Sequence, residues 1–324
     1  MSPALRSPVL AAWGAGVDST AMLIELIGRG EPVDQVLFAD VGAEKAETLA
    51  FVPVFRAWLA DHGVPSEVVR YAPKNFKNWP PYRTLTENLL TNGTLPGIAF
   101  GRGTCSQKWK AAPQHAWAKA WPPAQAAWAA GRKVVKLIGY DAGPADDRRF
   151  RVAQAIDDPL YAHRYPLREW GWTRPDSIAR IRRAGLPVPV KSACFFCTAA
   201  RPAEIRALPA EQLRQIVLIE ARARPRLRHV EGLWRTAVKG ARGAEPRPGS
   251  MTAFIRQEGL LDAEEIEAIS EAAPRSLTRW QTAVAGAAER PEMRRWLTVF
   301  DAFAGKVARL DAAPGLYDGL EGRP

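Results

Sequence analysis

Cysteine is scarce in this chain, with three in 324 residues. So sparse and odd a number cannot staple a small secreted scaffold, and the fold must rest on a buried core instead of a disulfide framework. Long hydrophobic runs are missing too: no stretch approaches the roughly 20 uninterrupted apolar residues of a membrane-spanning helix. The N-terminus lacks a basic segment followed by a long apolar run, so no secretory leader is predicted and a cytoplasmic protein without membrane contact is expected. No internal repeat is visible, and residues 198–324 contain no cysteine at all.

What is present suits a folded enzyme-sized chain. Hydrophobic residues make up 47% and charged residues 24%, enough to build a sizeable core. The formal net charge of +11 favours polyanionic partners such as nucleotides, RNA or DNA. An arginine- and alanine-rich composition inherited from a GC-rich genome would give the same balance.

The first 140 residues alternate strand-like and helix-like segments, the pattern of a parallel sheet. Val9–Trp13, Val36–Ala39 (ending at Asp40), Ser66–Tyr71 and Lys133–Ile138 read as strands, and Glu47–Asp61 as a helix. Residues 73–131 read as an insertion, first Pro/Trp/Asn-rich and then Ala/Trp-rich and helical. Beyond residue 200 the pattern is helical, with candidates at Ala203–Ala223, Ala263–Ala273 and Met293–Leu310. An open, mostly parallel, doubly wound α/β domain over 1–200 is therefore expected, followed by a helical region over 201–324.

The most informative stretch is Val9-Leu10-Ala11-Ala12-Trp13-Gly14-Ala15-Gly16-Val17-Asp18-Ser19-Thr20. An apolar strand breaks into a glycine-rich turn and then into a helical pattern. That order places backbone N–H groups and the positive end of a helix dipole together, which suits an anion. Small residues let a phosphate approach, and the Ser19 and Thr20 hydroxyls add donors; Trp13 is expected to pack beneath as core. An ordinary tight turn has the same elements. Because ligands of open parallel sheets bind beyond the C-terminal ends of strands, Asp40, Gly139 and Asp141 fall around the same crevice.

The string resembles the PP-loop of ATP pyrophosphatases, Ser-Gly-Gly-x-Asp-Ser, with Gly14 and Ala15 at the first two positions and Gly16, Asp18 and Ser19 matching. Around it the frame resembles the sulfonucleotide (APS/PAPS) reductase family and its PP-loop relatives, over about residues 7–205. Cys105, followed by Lys108, Lys110 and Pro113, matches the second member of that family's cysteine pair, while Thr104 stands where the first would be. Cys194 and Cys197 match the later Cys-x-x-Cys. Asp40–Thr48 looks like the segment after the family's second strand, and Gly139–Arg148 resembles, more loosely, the segment ending in a substrate-contacting arginine.

The resemblance implies an adenine nucleotide α-hydrolase-like fold and an ATP site on Gly14, Ala15, Gly16, Val17, Asp18, Ser19 and Thr20, with Asp40, Gly139 and Asp141 nearby. Asp18 would hold Mg²⁺ through water, and Lys108, Lys110 and Arg148 would clamp phosphate. It also implies metal ligation by Cys105, Cys194 and Cys197, either a 4Fe–4S cluster or zinc, with His163 the first candidate for a fourth ligand. A plain redox pair, or two thiols packed beside Phe195 and Phe196, explains the Cys-x-x-Cys equally well.

The implied chemistry is attack of a substrate oxygen on the α-phosphate of ATP, then sulfur transfer, with a nucleic acid or nucleotide as acceptor and a sulfur-donor protein such as a cysteine desulfurase as partner. Sulfonucleotide reduction is an alternative, although the cysteine that such reductases carry near the C-terminus is missing here. A non-catalytic nucleic-acid-binding protein with structural zinc is another. Arg222–His229, with four arginines in eight residues and Trp234-Arg235 beyond, suits phosphate contact and base stacking or a solvated helix end.

Overall fold

The computed structural model describes residues 6–72, 82–99, 102–240 and 245–273. In chain order the elements are β1 (Val9–Trp13), α1 (Val17–Gly28), β2 (Gln35–Asp40), α2 (Ala46–Asp61), β3 (Ser66–Arg70), α3 (Leu85–Asn92), β4 (Ile98–Ala99) and β5 (Arg102–Gly103). A π-helical turn at Ser106–Ala111 leads into α4 (Ala112–Ala120), α5 (Pro122–Ala129), β6 (Val134–Ile138), α6 (Pro144–Gln154), β7 (Tyr161–Arg164), α7 (Pro166–Glu169) and α8 (Arg174–Arg183). After a stretch without regular structure come α9 (Pro202–Arg206), α10 (Ala210–Ala223), α11 (Met251–Gln257) and α12 (Ala263–Ala272). The expected helix at Met293–Leu310 lies outside the described residues.

The chain divides into two compact units, 1–71 with 106–193, and 72–105 with 194–324. Part of the expected insertion therefore groups with the helical unit, and the boundary falls at Ala193 instead of residue 200.

The first unit is an α/β layer structure. Its five strands are all parallel, in the order β3-β2-β1-β6-β7. β1 and β2 are short apolar runs because both sheet faces are covered, which removes any reason for polar alternation. One face buries Ala11, Trp13, Val36 and Phe38 with residues of α1, α2 and α8. The other buries Leu10, Leu37, Val134 and Tyr161 with Ala118 and Ala124 of α4 and α5. Each large side chain so buried contributes about 1.5–3 kcal/mol. β1 and β6 are adjacent although β2 and β3 intervene in sequence, so the strand order reverses beside β1, where such sheets open a crevice.

The second unit is mainly helical, with a short antiparallel pair, β4 and β5. α10 is its centre, burying Leu213, Ile216, Val217 and Leu218 on its inner side. Glu220 on the same helix is buried and accepts hydrogen bonds from the Leu233, Met251 and Thr252 amides and the Ser250 hydroxyl. A carboxylate in the interior persists only when its lone pairs are filled in this way.

Candidate nucleotide-binding site

β1 delivers the chain to the glycine-rich turn with Trp13 almost fully buried, its ring 5.0 Å from Phe55 and 5.6 Å from Phe38. The Trp13 indole N–H donates to Thr20 Oγ1 at 2.9 Å, fixing the first turn of α1 to the sheet. Thr20 is consequently fully buried and supports the turn from below, although the sequence places it among phosphate contacts. Ser19 Oγ accepts from the Gly14 amide at 3.2 Å and closes the turn from above.

Ala15 adopts a left-handed φ of 53°, uncommon for any residue with a Cβ. The conformation costs about 1 kcal/mol, close to the roughly 0.8 kcal/mol returned by burying one methyl group, so alanine is tolerated where glycine would be easier. Gly16 is the N-cap of α1 with φ −103° and ψ 173°, and no side chain caps the helix. The first-turn amides of a 12-residue helix therefore face the turn without a side-chain acceptor.

Two glycines here have no free space where a Cβ would stand. A Cβ on Gly139, just beyond β6, would lie 2.7 Å from the Ser19 Cα and 2.9 Å from its amide nitrogen. A Cβ on Gly16 would lie 2.6 Å from Ser192 Oγ. Gly14 differs: a Cβ there would make ordinary contacts, 3.8 Å from Ser192 Oγ and 3.9 Å from Ser19 Oγ. The turn is thus walled by Gly139 and by Ser192, which no spacing rule connects to residue 16.

Carboxylates surround the turn. Asp18 accepts from Arg174 at 3.1 Å through one oxygen, while the other is buried without a hydrogen-bond partner. Burial raises its pKa to about 6; Arg174 opposes this, and Asp141 and Asp146 reinforce it. Asp141 Oδ1 accepts from the Gly143 amide at 2.9 Å, and the Asp141 amide donates to Asp146 at 3.3 Å. Asp141 is thereby held at the end of β6, as its position after a strand suggests. Asp40 ends β2, but its charge is engaged: Arg70 pairs with it at 3.0 Å and the Gly42 amide donates to it at 2.8 Å.

The two lysines of the π-helical turn have separate roles. Lys110 Nζ lies 3.2 Å from the nearly inaccessible carboxylate of Glu44, whose oxygens have no well-aligned hydrogen bond. Lys108 sits over the Tyr71 and Trp109 rings at 4.9 and 5.2 Å. π-Helical turns occur disproportionately at functional sites. Arg148 is exposed on α6 and makes no hydrogen bond or ion pair among the described residues. Val17 begins α1 as a buried residue, offering only its backbone amide.

Cys194 and Cys197 bound a tight turn in which the Cys197 amide donates to the Cys194 carbonyl at 3.0 Å. None of the three cysteines is in a disulfide, and all belong to the second unit. Among the described residues, no group of three or more His, Cys, Asp and Glu side chains is arranged to hold a metal ion. His163 lies on β7, opposite Lys136, in the sheet unit.

The basic segment after α10 is also partly committed. Buried Arg222 donates to the Leu90 carbonyl, Arg226 to that of Asn92 and Arg235 to that of Pro96. Cations at the C-terminus of α3 satisfy its last carbonyls and its dipole. Arg224 and Arg228 stay exposed.

Compared with known families and with curated proteins, this chain matches no family model and no curated sequence.

Proposed function

We propose that the chain is an ATP-dependent adenylating enzyme, cleaving ATP between its α and β phosphates. The observation that supports this most is the uncapped start of α1 behind left-handed Ala15, walled by glycines that exclude side chains. Such a turn offers backbone donors at a helix N-terminus and room for phosphate oxygens. The Gly16–Ser19 amides would bind the pyrophosphate end of the nucleotide, and the Ser19 hydroxyl would add a donor.

The Asp18 oxygen without a partner fits a divalent cation, which would neutralise phosphate charge there. Magnesium usually takes one or two carboxylates plus substrate phosphates, so Asp18 with Asp141 is a sufficient protein contribution. A cation there would also relieve the mutual repulsion of Asp18, Asp141 and Asp146. A substrate oxygen would attack the α-phosphorus, the bond to the bridging oxygen would break, and pyrophosphate would leave on the loop amides. The sulfur transfer that the resemblance implies would fall to Cys105, Cys194 and Cys197, which belong to no group of three ligating side chains among the described residues.

The test is nucleotide binding and product analysis with the full chain. ATP and its α,β-methylene analogue should bind in the presence of Mg²⁺, and turnover with a competent acceptor should yield AMP and pyrophosphate. Production of ADP and phosphate, or no binding of either nucleotide at millimolar concentration, would overturn the proposal.

A further inference from the structure

Arg174 stands where the fold by itself gives little reason for a cation. It is the first residue of α8, at the positive end of that helix's dipole, where a positive charge is disfavoured. The start of the helix is satisfied without it. Thr173 is the N-cap, and the Asp176 carboxylate accepts from the Thr173 amide at 2.8 Å and from its hydroxyl at 2.7 Å.

The backbone here is held from several sides. Arg180 ties α8 to α1 through the Glu25 carboxylate at 2.6 Å and the Ile24 carbonyl at 3.2 Å, and Ile181 is fully buried. The Ala142 amide, just beyond β6, donates to the Trp172 carbonyl at 2.7 Å. The start of α8 is thereby fixed beside the first turn of α1 and the loop that carries Asp141.

The Arg174 side chain is far less committed. One N–H of its guanidinium reaches Asp18 at 3.1 Å, the other four make no hydrogen bond among the described residues, and the side chain is 43% exposed. Arginine can grip a carboxylate through two parallel bonds, and a single exposed one holds it weakly. The same fork matches a phosphate equally well. Asp18 itself has its other oxygen unpaired, so a divalent cation that drew the carboxylate to itself would displace only this weak pair. The guanidinium would then be free at the rim of the turn.

We infer that Arg174 is a phosphate-binding residue, held on Asp18 in the free protein and transferred to the nucleotide's phosphates when a divalent cation takes its place. The inference rests on the nucleotide reading of the turn, but its test needs neither ATP nor turnover.

Mn²⁺, alone and with inorganic pyrophosphate, is titrated into the full chain at pH 8, the free ion being followed by its paramagnetic resonance signal. Arg174→Ala should bind Mn²⁺ alone about two- to fivefold more tightly, because a competitor held by an exposed ion pair is gone. It should bind pyrophosphate in the presence of Mn²⁺ at least about tenfold more weakly, because a charge-assisted contact is lost. Arg174→Lys should restore part of the pyrophosphate affinity, keeping the charge but not the fork. Asp18→Asn should remove the Mn²⁺ site in either background. A residue needed only for the fold would lower both affinities together, and the melting temperature with them. Unchanged pyrophosphate affinity in Arg174→Ala, no saturable pyrophosphate binding by the parent, or a Mn²⁺ affinity that does not rise would each overturn the inference. Adenylation is judged separately, by AMP formation from ATP. Arg174-dependent pyrophosphate binding without AMP would sink adenylation and keep this role, and AMP formation with pyrophosphate binding indifferent to Arg174 would do the opposite.

Discussion

Asp18 and Arg174, 156 residues apart in the chain, meet through a single hydrogen bond of 3.1 Å that leaves the second carboxylate oxygen of Asp18 buried and unpaired. The consequence is a carboxyl group whose pKa is raised from 3.8 to about 6 by burial and by the neighbouring Asp141 and Asp146. The folded state holds this proton more tightly than the unfolded one. Its stabilising contribution is full below pH 3.8 and is lost as the pH rises through about 6. At neutral pH the ionised group thus costs the fold about 3 kcal/mol, taking about 1.4 kcal/mol per pH unit. Asp18→Asn should raise the melting temperature at pH 7–8 and have no effect near pH 4. Loss of the Arg174 pair subtracts little, since Arg174 is 43% exposed. Equal melting temperatures at pH 7.5 would show that burial does not destabilise the charge. The same variant should lose Mg²⁺-dependent nucleotide binding, so stability and function are expected to move in opposite directions.

Gly16 and Ser192 form a pair whose coupling can be measured. Gly16→Ala brings a methyl group to within 2.6 Å of Ser192 Oγ, so one of them must move. A cost of about 1–3 kcal/mol is expected from overpacking. In the double variant with Ser192→Ala, the nearest serine atom left is Cβ, at an ordinary 3.5 Å, and most of that cost should be recovered. The coupling energy from denaturant unfolding of the four proteins should reach about 1 kcal/mol or more. Strict additivity would mean that the loop does not rest against Ser192.

Much of the sheet was legible because its strands are buried on both faces. β1 and β2 read as unbroken apolar runs, and a turn signal follows each one. β7 was missed: Tyr-Ala-His-Arg is short, polar and at the sheet edge, where partial exposure removes the apolar signature. The position of Asp141 at the end of β6 followed from the strand alone. The roles of Arg174, Ser192 and Glu44 did not, because each is set by packing between segments far apart in sequence. The basic string at Arg222–His229 shows the same limit. Its composition suits a nucleic acid, yet Arg222 and Arg226 serve the carbonyls of α3, a contact 132 or more residues away.

Glu220 should be the most sensitive polar position in the second unit. Its two oxygens receive three backbone amides, of Leu233, Met251 and Thr252, and the Ser250 hydroxyl, at 2.6–2.9 Å. Glu220→Ala strands all four donors in the interior and should cost about 3–5 kcal/mol. Glu220→Gln keeps one oxygen acceptor, but its NH₂ group faces donors, so an intermediate loss is expected. Trp234, buried against Phe254 at 5.2 Å, should report both changes through its fluorescence during urea unfolding. A Glu220→Ala protein as stable as the parent would refute the role of this carboxylate as the anchor of Leu233 and of the start of α11.

The face of the sheet beneath α4 carries a titrating cluster of opposite sign to Asp18. His115 Nδ1 lies 2.9 Å from the Tyr161 hydroxyl, and Lys136, opposite His163 in the register of β6 and β7, sits 5.2 Å from the Tyr161 ring. Burial lowers the pKa of His115, His163 and Lys136; the nearby lysines add to the effect on the two histidines, and Asp158 opposes all three shifts. For each histidine the unfolded state takes up its proton first, near pH 6.5, while the folded state stays neutral. Stability from this cluster is therefore present above pH 6.5 and is lost as the pH falls below it. Asp18 works in the reverse direction over an overlapping range, so the parent protein should show a shallow dependence between pH 7 and pH 5. In the Asp18→Asn background the opposing contribution disappears, and the melting temperature should fall more steeply on acidification. Adding His115→Gln and His163→Gln to that background should flatten the slope again. If the three proteins instead share one slope from pH 7 to pH 5, the two groups are not the source of the pH dependence.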